Sequence, residues 1–342
     1  MSRKRLIAKI AGGVFGVILI CILIMQTDVS SLTSQLYMIR WYFLAVIGVT
    51  FVSQSAAVYA WYLSFFTHLK KSSFVHLFNI RLIGESFAQI NPTNVIAGEA
   101  LKGVLLKDKL GVNYLTGATS ILLSRIMIVI AGAVLLIFGV AIMFQRLAFG
   151  NLQVISAIIC GIIVVLLFFF IFALHTRRGF LRVIARIIQA IFGRFAWTKN
   201  AVSGLLQVDN ELIEFYHKKR GAFYAVFFLS VMNRVIGSME YFVIFYALGM
   251  DVDVFSCLLF DLSSMIFRSA GFFIPGQIGL EEAGNKIMFS LINIPGNETW
   301  ITASLVRRGR QIFWILAGFI VYLFLSADIK KSSNEGVDNV SA

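Results

Sequence analysis

The sequence predicts an all-α, polytopic membrane protein. Apolar residues make up 59% of the 342 residues and charged residues only 14%, whereas soluble domains are near half apolar and about a quarter charged. Several apolar stretches reach the ~20 residues that a membrane-spanning helix needs. A soluble chain of this length requires far more polar surface to cover its core. The composition therefore excludes a soluble enzyme and predicts one integral membrane domain over residues 1–326.

Six stretches are apolar enough to form full spans. They are 6–25, 39–66, 115–144, 152–174, 221–248 and 300–326. Two further apolar stretches, 74–101 and 255–293, are interrupted by Pro, Gly and charges. Pro removes a backbone donor, and backbone groups without hydrogen bonds are not tolerated against lipid. We therefore expect each of these stretches to form a re-entrant hairpin or two short spans. The total is about eight membrane segments.

Basic residues orient these segments, because Lys and Arg are enriched in cytoplasmic loops. Segment 1–9 carries four basic residues, and segment 175–220 carries nine against three acidic ones, whereas 26–38 has none. This pattern predicts a cytoplasmic (inner) membrane protein with both termini and the 175–220 loop in the cytoplasm. The polar tail, 327–342, is expected to be disordered.

The basic loop contains an amphipathic pattern over 180–195, with apolar residues at helical spacing and Arg between them. Such a pattern is typical of a helix that lies on anionic lipid. A cytoplasmic connector packed on the bundle explains it equally well, and both interpretations stay open.

Three spacings recur in the two interrupted stretches and the spans that follow them. An Arg precedes a Gly by three residues, a Pro precedes a Glu by seven, and the same Pro precedes an Arg by 33. The residues are Arg81, Gly84, Pro92, Glu99 and Arg125 in one copy, and Arg268, Gly271, Pro275, Glu282 and Arg308 in the other. The charge-based topology gives the two copies opposite orientations. We therefore predict an inverted repeat, with repeat A at about 39–144 and repeat B at about 221–326, as in many transporters.

Charged residues in these apolar segments predict a hydrated cavity. An isolated charge at bilayer depth costs roughly 2.5–3.5 kcal/mol or more, so it pairs, faces water or contacts a ligand. Structural pairing, as for Arg81 and Glu85 at i,i+4, stays open for each residue. Arg keeps its charge and binds phosphate in a bidentate manner. The residues predicted to bind an anionic lipid headgroup are Arg81, Arg125, Arg268, Arg308, Asn91 and Gln277.

Further residues are expected to support that site. Those predicted to shape it or to carry a coupled charge are Glu85, Glu99, Lys102, Glu281, Glu282, Lys286, Arg234 and Glu240. Those predicted to break the hairpins are Pro92, Gly98, Pro275, Gly276 and Gly279. The scattered Cys and His residues indicate no metal site, and we expect no cofactor. The net charge of +13 is attributed to topology, and no nucleic-acid partner is expected.

Two motifs resemble a known family. Gly98-Glu99-Ala100-Leu101-Lys102 follows Asn91-Pro92, and the second motif runs from Pro275 to Glu282. Over roughly residues 10–326 the chain resembles the membrane region of lysylphosphatidylglycerol synthases, a flippase-like domain. In that family the second motif tends to read P-G-G-x-G-x-x-E, and Gln277 here replaces the second Gly. The resemblance implies movement of a lipid between leaflets. We expect a stand-alone member without the aminoacyl-transferring domain, so synthesis of an aminoacylated lipid is not implied.

These observations predict a lipid flippase or transporter rather than an enzyme. Its cargo is expected to be an anionic polar lipid, either a phospholipid or a polyprenyl-phosphate-linked lipid. The alternatives are a membrane-embedded transferase that acts on a polyprenyl-phosphate or phospholipid, and a scaffold that recruits partners through the basic loop. Homo-oligomerisation stays open.

Overall fold

The computed structural model describes residues 29–66, 69–70, 72–90, 94–146, 180–192, 196–270, 280–292 and 299–338. All regular secondary structure within these ranges is helical. In chain order the helices are α1 (Val29–Ile39), α2 (Tyr42–Leu63), α3 (Ser73–Ile90), α4 (Asn94–Leu110), α5 (Tyr114–Arg146), α6 (Phe180–Phe192), α7 (Ala196–Lys218), α8 (Arg220–Ala247), α9 (Val254–Ala270), α10 (Leu280–Ile292) and α11 (Thr299–Asp338).

Four of these helices are long and apolar enough to cross a membrane. Their apolar parts are Tyr42–Leu63, Tyr114–Gly139, Arg220–Ala247 and Thr299–Leu325. They confirm four predicted spans to within about five residues at each end, and α11 continues beyond its span to Asp338. The predicted spans 6–25 and 152–174 lie outside the described residues. The chain is therefore a multi-pass, α-helical membrane protein.

Each interrupted stretch contains two short helices that pack on each other, α3 on α4 and α9 on α10. The breaks at 91–93 and 271–279 lie outside the described residues. The crossing of α3 and α4 is close, because a Cβ atom built on Gly98 would overlap the carbonyl oxygen of Gly84. Two glycines thus let the two backbones touch.

The helices of the two predicted repeats make matching contacts. We call α2 to α5 the first unit and α8 to α11 the second unit. In each unit the first helix packs on the second, the second on the third, the third on the fourth, and the first on the fourth. Between the units, the α3–α11 contact corresponds to the α9–α5 contact, because each joins the second helix of one unit to the fourth helix of the other. In the same way, the α2–α11 contact corresponds to the α8–α5 contact, because each joins a first helix to a fourth helix. Exchanging the units therefore reproduces this set of contacts.

The first helices of the two units, α2 and α8, pack against each other in opposite directions. Thr50 Oγ1 donates to Glu240 at 2.8 Å, and Asn233 Nδ2 donates to the carbonyl oxygen of Ser53 at 2.7 Å. Beyond the end of α2, Lys219 donates to the carbonyl oxygen of Phe66 at 2.7 Å. Residue numbers rise along α2 as they fall along α8. The two helices are therefore antiparallel.

The remaining helices lie beside this core. The amphipathic pattern over 180–195 forms α6, which packs on α7, and α7 packs on α5. Asp209 accepts a hydrogen bond from the backbone N–H of Leu181 at 2.8 Å. The tail over 327–342 was expected to be disordered, whereas α11 runs to Asp338. No Pro occurs between Thr299 and Asp338 to end that helix.

Candidate functional site

Five charged side chains from α3, α4 and α5 form what we call the first network: Arg81, Glu85, Glu99, Lys102 and Arg125. The Glu85 carboxylate lies 2.9 Å from Arg81 Nη2 and 3.4 Å from Arg125 Nη2. The Glu99 carboxylate lies 2.6 Å from Arg125 Nη2 and 3.1 Å from Lys102 Nζ. Three cations thus surround two carboxylates. Within the described residues, the network carries one positive charge in excess.

A neutral side chain from α2 connects to this network. Arg81 Nε donates to Gln54 Oε1 at 3.1 Å, and Gln54 Nε2 donates to Glu85 Oε2 at 3.3 Å. One helical turn earlier, Thr50 donates to Glu240 of α8. Helix α2 therefore contacts charged groups of both units.

A small cavity of about 10 Å³, the space of about one water molecule, lies beside the first network. Among the residues that the structure describes, the buried Glu99 Oε2 and Ser124 Oγ have no hydrogen-bond partner. The most exposed charged side chain there is Arg125, at 39%. An unpaired buried oxygen costs free energy unless a ligand or water satisfies it. The lining residues are Trp61, Arg81, Glu99, Lys102, Ile121, Ser124 and Arg125.

Arg307 of α11 lies at the centre of a second network. Its side chain is 4% exposed and faces three carboxylates. Its guanidinium is 3.0 Å from Glu281, 3.2 Å from Asp261 and 3.5 Å from Glu240. It also donates to the hydroxyl of Tyr241. Because α8, α9 and α10 supply these groups, one cation links four helices of the second unit.

Three further Arg residues balance the negative charge of the second network. Arg310 lies 2.7 Å from Glu240, and Arg308 lies 3.0 Å from Glu282. Arg234 lies 3.8 Å from Asp261. Four cations therefore face four carboxylates. The second network has no excess charge among the described residues, unlike the first.

One ion pair occurs at equivalent positions in the two networks. Arg125 follows Glu99 by 26 residues and pairs with it, and Arg308 follows Glu282 by 26 residues and pairs with it. In both cases the carboxylate is on the helix after the break and the Arg is on the following span. The recurring spacings in the sequence thus correspond to a recurring contact.

The predicted site residues fall into four groups. The first network contains Arg81, Glu85, Glu99, Lys102 and Arg125. The second contains Arg234, Glu240, Glu281, Glu282 and Arg308. Lys286 lies over the ring of Trp300, 5.5 Å from its centroid, and Gly98 lies at the α3–α4 crossing. The side chain of Arg268 is outside the described part of the chain, as are Asn91, Pro92, Pro275, Gly276, Gln277 and Gly279.

Other residues of the site were not predicted. Arg307 and Arg310 flank the predicted Arg308, so the cluster of Arg in an apolar span was the available signal. Gln54 and Ser124 are neutral residues in spans, and no charge marks them. Among the described residues, no group of three His, Cys, Asp or Glu side chains is placed to hold a metal ion.

Comparison with known proteins identifies the family. The family model described as "Lysylphosphatidylglycerol synthase TM region" matches residues 9–326. The chain therefore belongs to this family, as its motifs predict. No curated protein and no solved structure matches the chain.

Proposed function

We propose that this protein binds the headgroup of an anionic lipid at the first network, against the partly exposed Arg125, and moves it between leaflets of the cytoplasmic membrane. Membership of the family relates the chain to lipid handling. The observation that carries the proposal is the excess of cations, one of them partly exposed, within a bundle of membrane helices. A headgroup charge in hydrocarbon is costly. A charged site lowers that cost while the lipid tails stay in the bilayer.

We also propose that the two units form an inverted repeat. The matching contacts support a two-fold relation between them, as in an isologous interface. A two-fold axis that relates two antiparallel helices is perpendicular to both. Since α2 and α8 are antiparallel spans, this axis lies in the membrane plane. The units then have opposite orientation, which is a transporter arrangement.

In this proposal the two helix pairs, α3–α4 and α9–α10, are re-entrant hairpins that enter from opposite faces. The basic loops support a cytoplasmic position for the first hairpin and for both termini. The balanced second network holds α9 and α10 against α8 and α11. The first network, with its partly exposed Arg125 and one excess cation, receives the headgroup. The function therefore depends on a difference between two related sites.

Reconstituted vesicles test this function. We expect vesicles that contain the full chain to expose inner-leaflet fluorescent phosphatidylglycerol to an impermeant quencher, whereas protein-free vesicles do not. Extracted lipid should be chemically unchanged. Quenching limited to the outer leaflet contradicts the proposal. Conversion of a phospholipid or polyprenyl-phosphate into a new product supports the transferase alternative instead.

A further inference from the structure

We infer that α6 lies on the anionic surface of the membrane, with an apolar side of the helix inserted between the lipids. This surface is separate from the proposed headgroup site, because both charged networks are formed by other helices. The inference is therefore independent of lipid movement at the first network. It rests on the side of α6 that α7 covers, the side that is exposed, the charge of the segment and the position of the α6–α7 pair on the bundle.

Helix α7 covers one side of α6 and fixes its first turn. The buried Asp209 carboxylate accepts a hydrogen bond from the backbone N–H of Leu181 at 2.8 Å and lies 3.4 Å from Arg182 Nε. A carboxylate at this place stabilises the helix, because the first backbone N–H groups have no partner within it. Leu181 and Ala185 are buried. Helix α6 is thus attached to α7 at a defined rotation about its own axis.

A second apolar side of α6 is exposed. Ile187 is 53% exposed, and it lies about 120° from Leu181 and about 160° from Ala185 around the helix. In the sequence, four more apolar residues fall within about 60° of Ile187: Phe180, Val183, Ile184 and Ile191. We call Ile187 and these four positions the apolar stripe. Exposure of apolar surface to water costs free energy, so this stripe needs an apolar environment.

The segment that contains α6 is strongly basic. Residues 177–199 include six Lys or Arg residues and no Asp or Glu. The exposed Arg182 and Gln189 lie about 140° and about 160° from Ile187, on the side of the helix away from the stripe. Basic residues attract anionic headgroups. An apolar stripe on a basic helix is the arrangement that lies in the plane of an anionic membrane.

A second copy of this chain is the other occupant that an apolar stripe could bind. An isologous contact pairs a surface with itself. Two copies of the segment 177–199 would therefore bring twelve basic residues together without any acidic residue from that segment. The charge of the segment thus favours an anionic membrane over a second copy.

The α6–α7 pair joins the bundle at the level where the span α2 ends. The ring of Phe215 in α7 lies 5.5 Å from the ring of Phe66, three residues after the last residue of α2, Leu63. Asp209 precedes Phe215 by six residues, which is about 9 Å along a helix. Since a span ends near the membrane surface, α6 is held within reach of the lipid headgroups.

Fluorescence quenching of the full chain in lipid nanodiscs tests the inference. After Cys21, Cys160 and Cys257 are replaced, a fluorophore is attached to Ile187→Cys or, as the matched control, to Gln189→Cys. Nitroxide-labelled lipid tails quench a fluorophore in the membrane, and acrylamide, an uncharged molecule, quenches one in water. In discs of equal parts phosphatidylglycerol and phosphatidylcholine, we expect lipid quenching to be severalfold stronger at Ile187→Cys than at Gln189→Cys, and acrylamide quenching to be severalfold weaker.

Two results of this comparison overturn the inference. If acrylamide quenches both positions equally, the stripe lies in water. If Ile187→Cys is protected from both quenchers, protein covers the stripe, as a second copy would. Nanodiscs leave both membrane faces open to water, so neither result depends on the orientation of the chain.

Lipid composition tests the role of surface charge. Phosphatidylserine in place of phosphatidylglycerol should give the same quenching, because the helix binds a charged surface rather than one headgroup. Discs of phosphatidylcholine alone should reduce lipid quenching at Ile187→Cys severalfold, and added salt should weaken the effect of the anionic lipids. Equal lipid quenching in phosphatidylcholine discs overturns the inference, as does quenching that requires phosphatidylglycerol.

A matched pair of substitutions assigns the effect to the stripe. Ile187→Asp and Gln189→Asp each introduce one carboxylate at an exposed position, so we expect the unfolding temperature in detergent to stay unchanged. With the fluorophore on Ala190→Cys, an exposed position at the edge of the stripe, Ile187→Asp should reduce lipid quenching severalfold, because a charge among lipid tails is costly. Gln189→Asp should leave it unchanged. Equal lipid quenching in the two variants would contradict insertion of the stripe.

Discussion

Glu99 and Arg125 form an ion pair of 2.6 Å that joins α4 to the span α5. Glu282 and Arg308 form the equivalent pair, at 3.0 Å, between α10 and α11. The surroundings of the two pairs differ. Arg125 is 39% exposed beside a cavity, whereas Arg308 is 19% exposed in a balanced network. The two equivalent ion pairs thus lie in different electrostatic surroundings.

Arg125→Gln is expected to impair lipid movement more than stability. Glu99 keeps Lys102 as a partner and Glu85 keeps Arg81, so the unfolding free energy should fall by about 1 kcal/mol or less. Loss of a charge-assisted hydrogen bond to the headgroup, worth about 1.5–3 kcal/mol, should slow movement by about ten- to a hundredfold. Vesicle assays and thermal unfolding in detergent measure the two effects.

The conservative variant provides a further check on Arg125. Arg125→Lys keeps the charge but loses bidentate binding, so partial activity is expected. Arg186→Gln on the exposed face of α6 is the control. If the folded Arg125→Gln variant moves lipid at the full rate, Arg125 does not bind the headgroup.

Arg307→Gln, unlike Arg125→Gln, is expected to cause a large loss of stability. The side chain is 4% exposed and lies against three carboxylates. Breaking such a buried arrangement costs about 3–5 kcal/mol. Thermal unfolding of the detergent-solubilised protein measures the loss. A shift no larger than that of the exposed Arg186→Gln variant would show that the second network contributes little to stability.

Gly98→Ala is expected to disturb the α3–α4 crossing. The added Cβ meets the carbonyl oxygen of Gly84, and overpacking of this kind costs about 1–3 kcal/mol. Gly103 in the same helix is the matched control, because a Cβ there has no atom within 4 Å. Gly103→Ala should be neutral or stabilising by up to ~1 kcal/mol. Equal unfolding temperatures for the two variants would contradict the close crossing.

Hydropathy and spacing were sufficient to predict the framework of this fold. The apolar stretches predict the four described spans, because a membrane helix needs a continuous apolar segment. The recurring spacing between Pro, Glu and Arg predicts that Glu99 and Arg125 are equivalent to Glu282 and Arg308. The structure shows that each of these related pairs is in contact.

The content of the site could be predicted only in part. Adjacent residues on a helix differ by about 100° in direction, since there are 3.6 residues per turn. Whether Arg307 or Arg308 faces the buried carboxylates therefore depends on the rotation of α11 about its axis, which composition does not specify. Gln54 and Ser124 carry no charge, so their roles follow from packing alone.

Opposite insertion of the two units is the central claim of this account, and labelling of introduced cysteines in sealed, right-side-out vesicles tests it most directly. Lys70→Cys in the α2–α3 loop and Asp251→Cys in the equivalent α8–α9 loop are made after replacing Cys21, Cys160 and Cys257. We predict that an impermeant maleimide labels Asp251→Cys from outside and labels Lys70→Cys only after the membrane is opened. Labelling of both positions from the same side would contradict the claim.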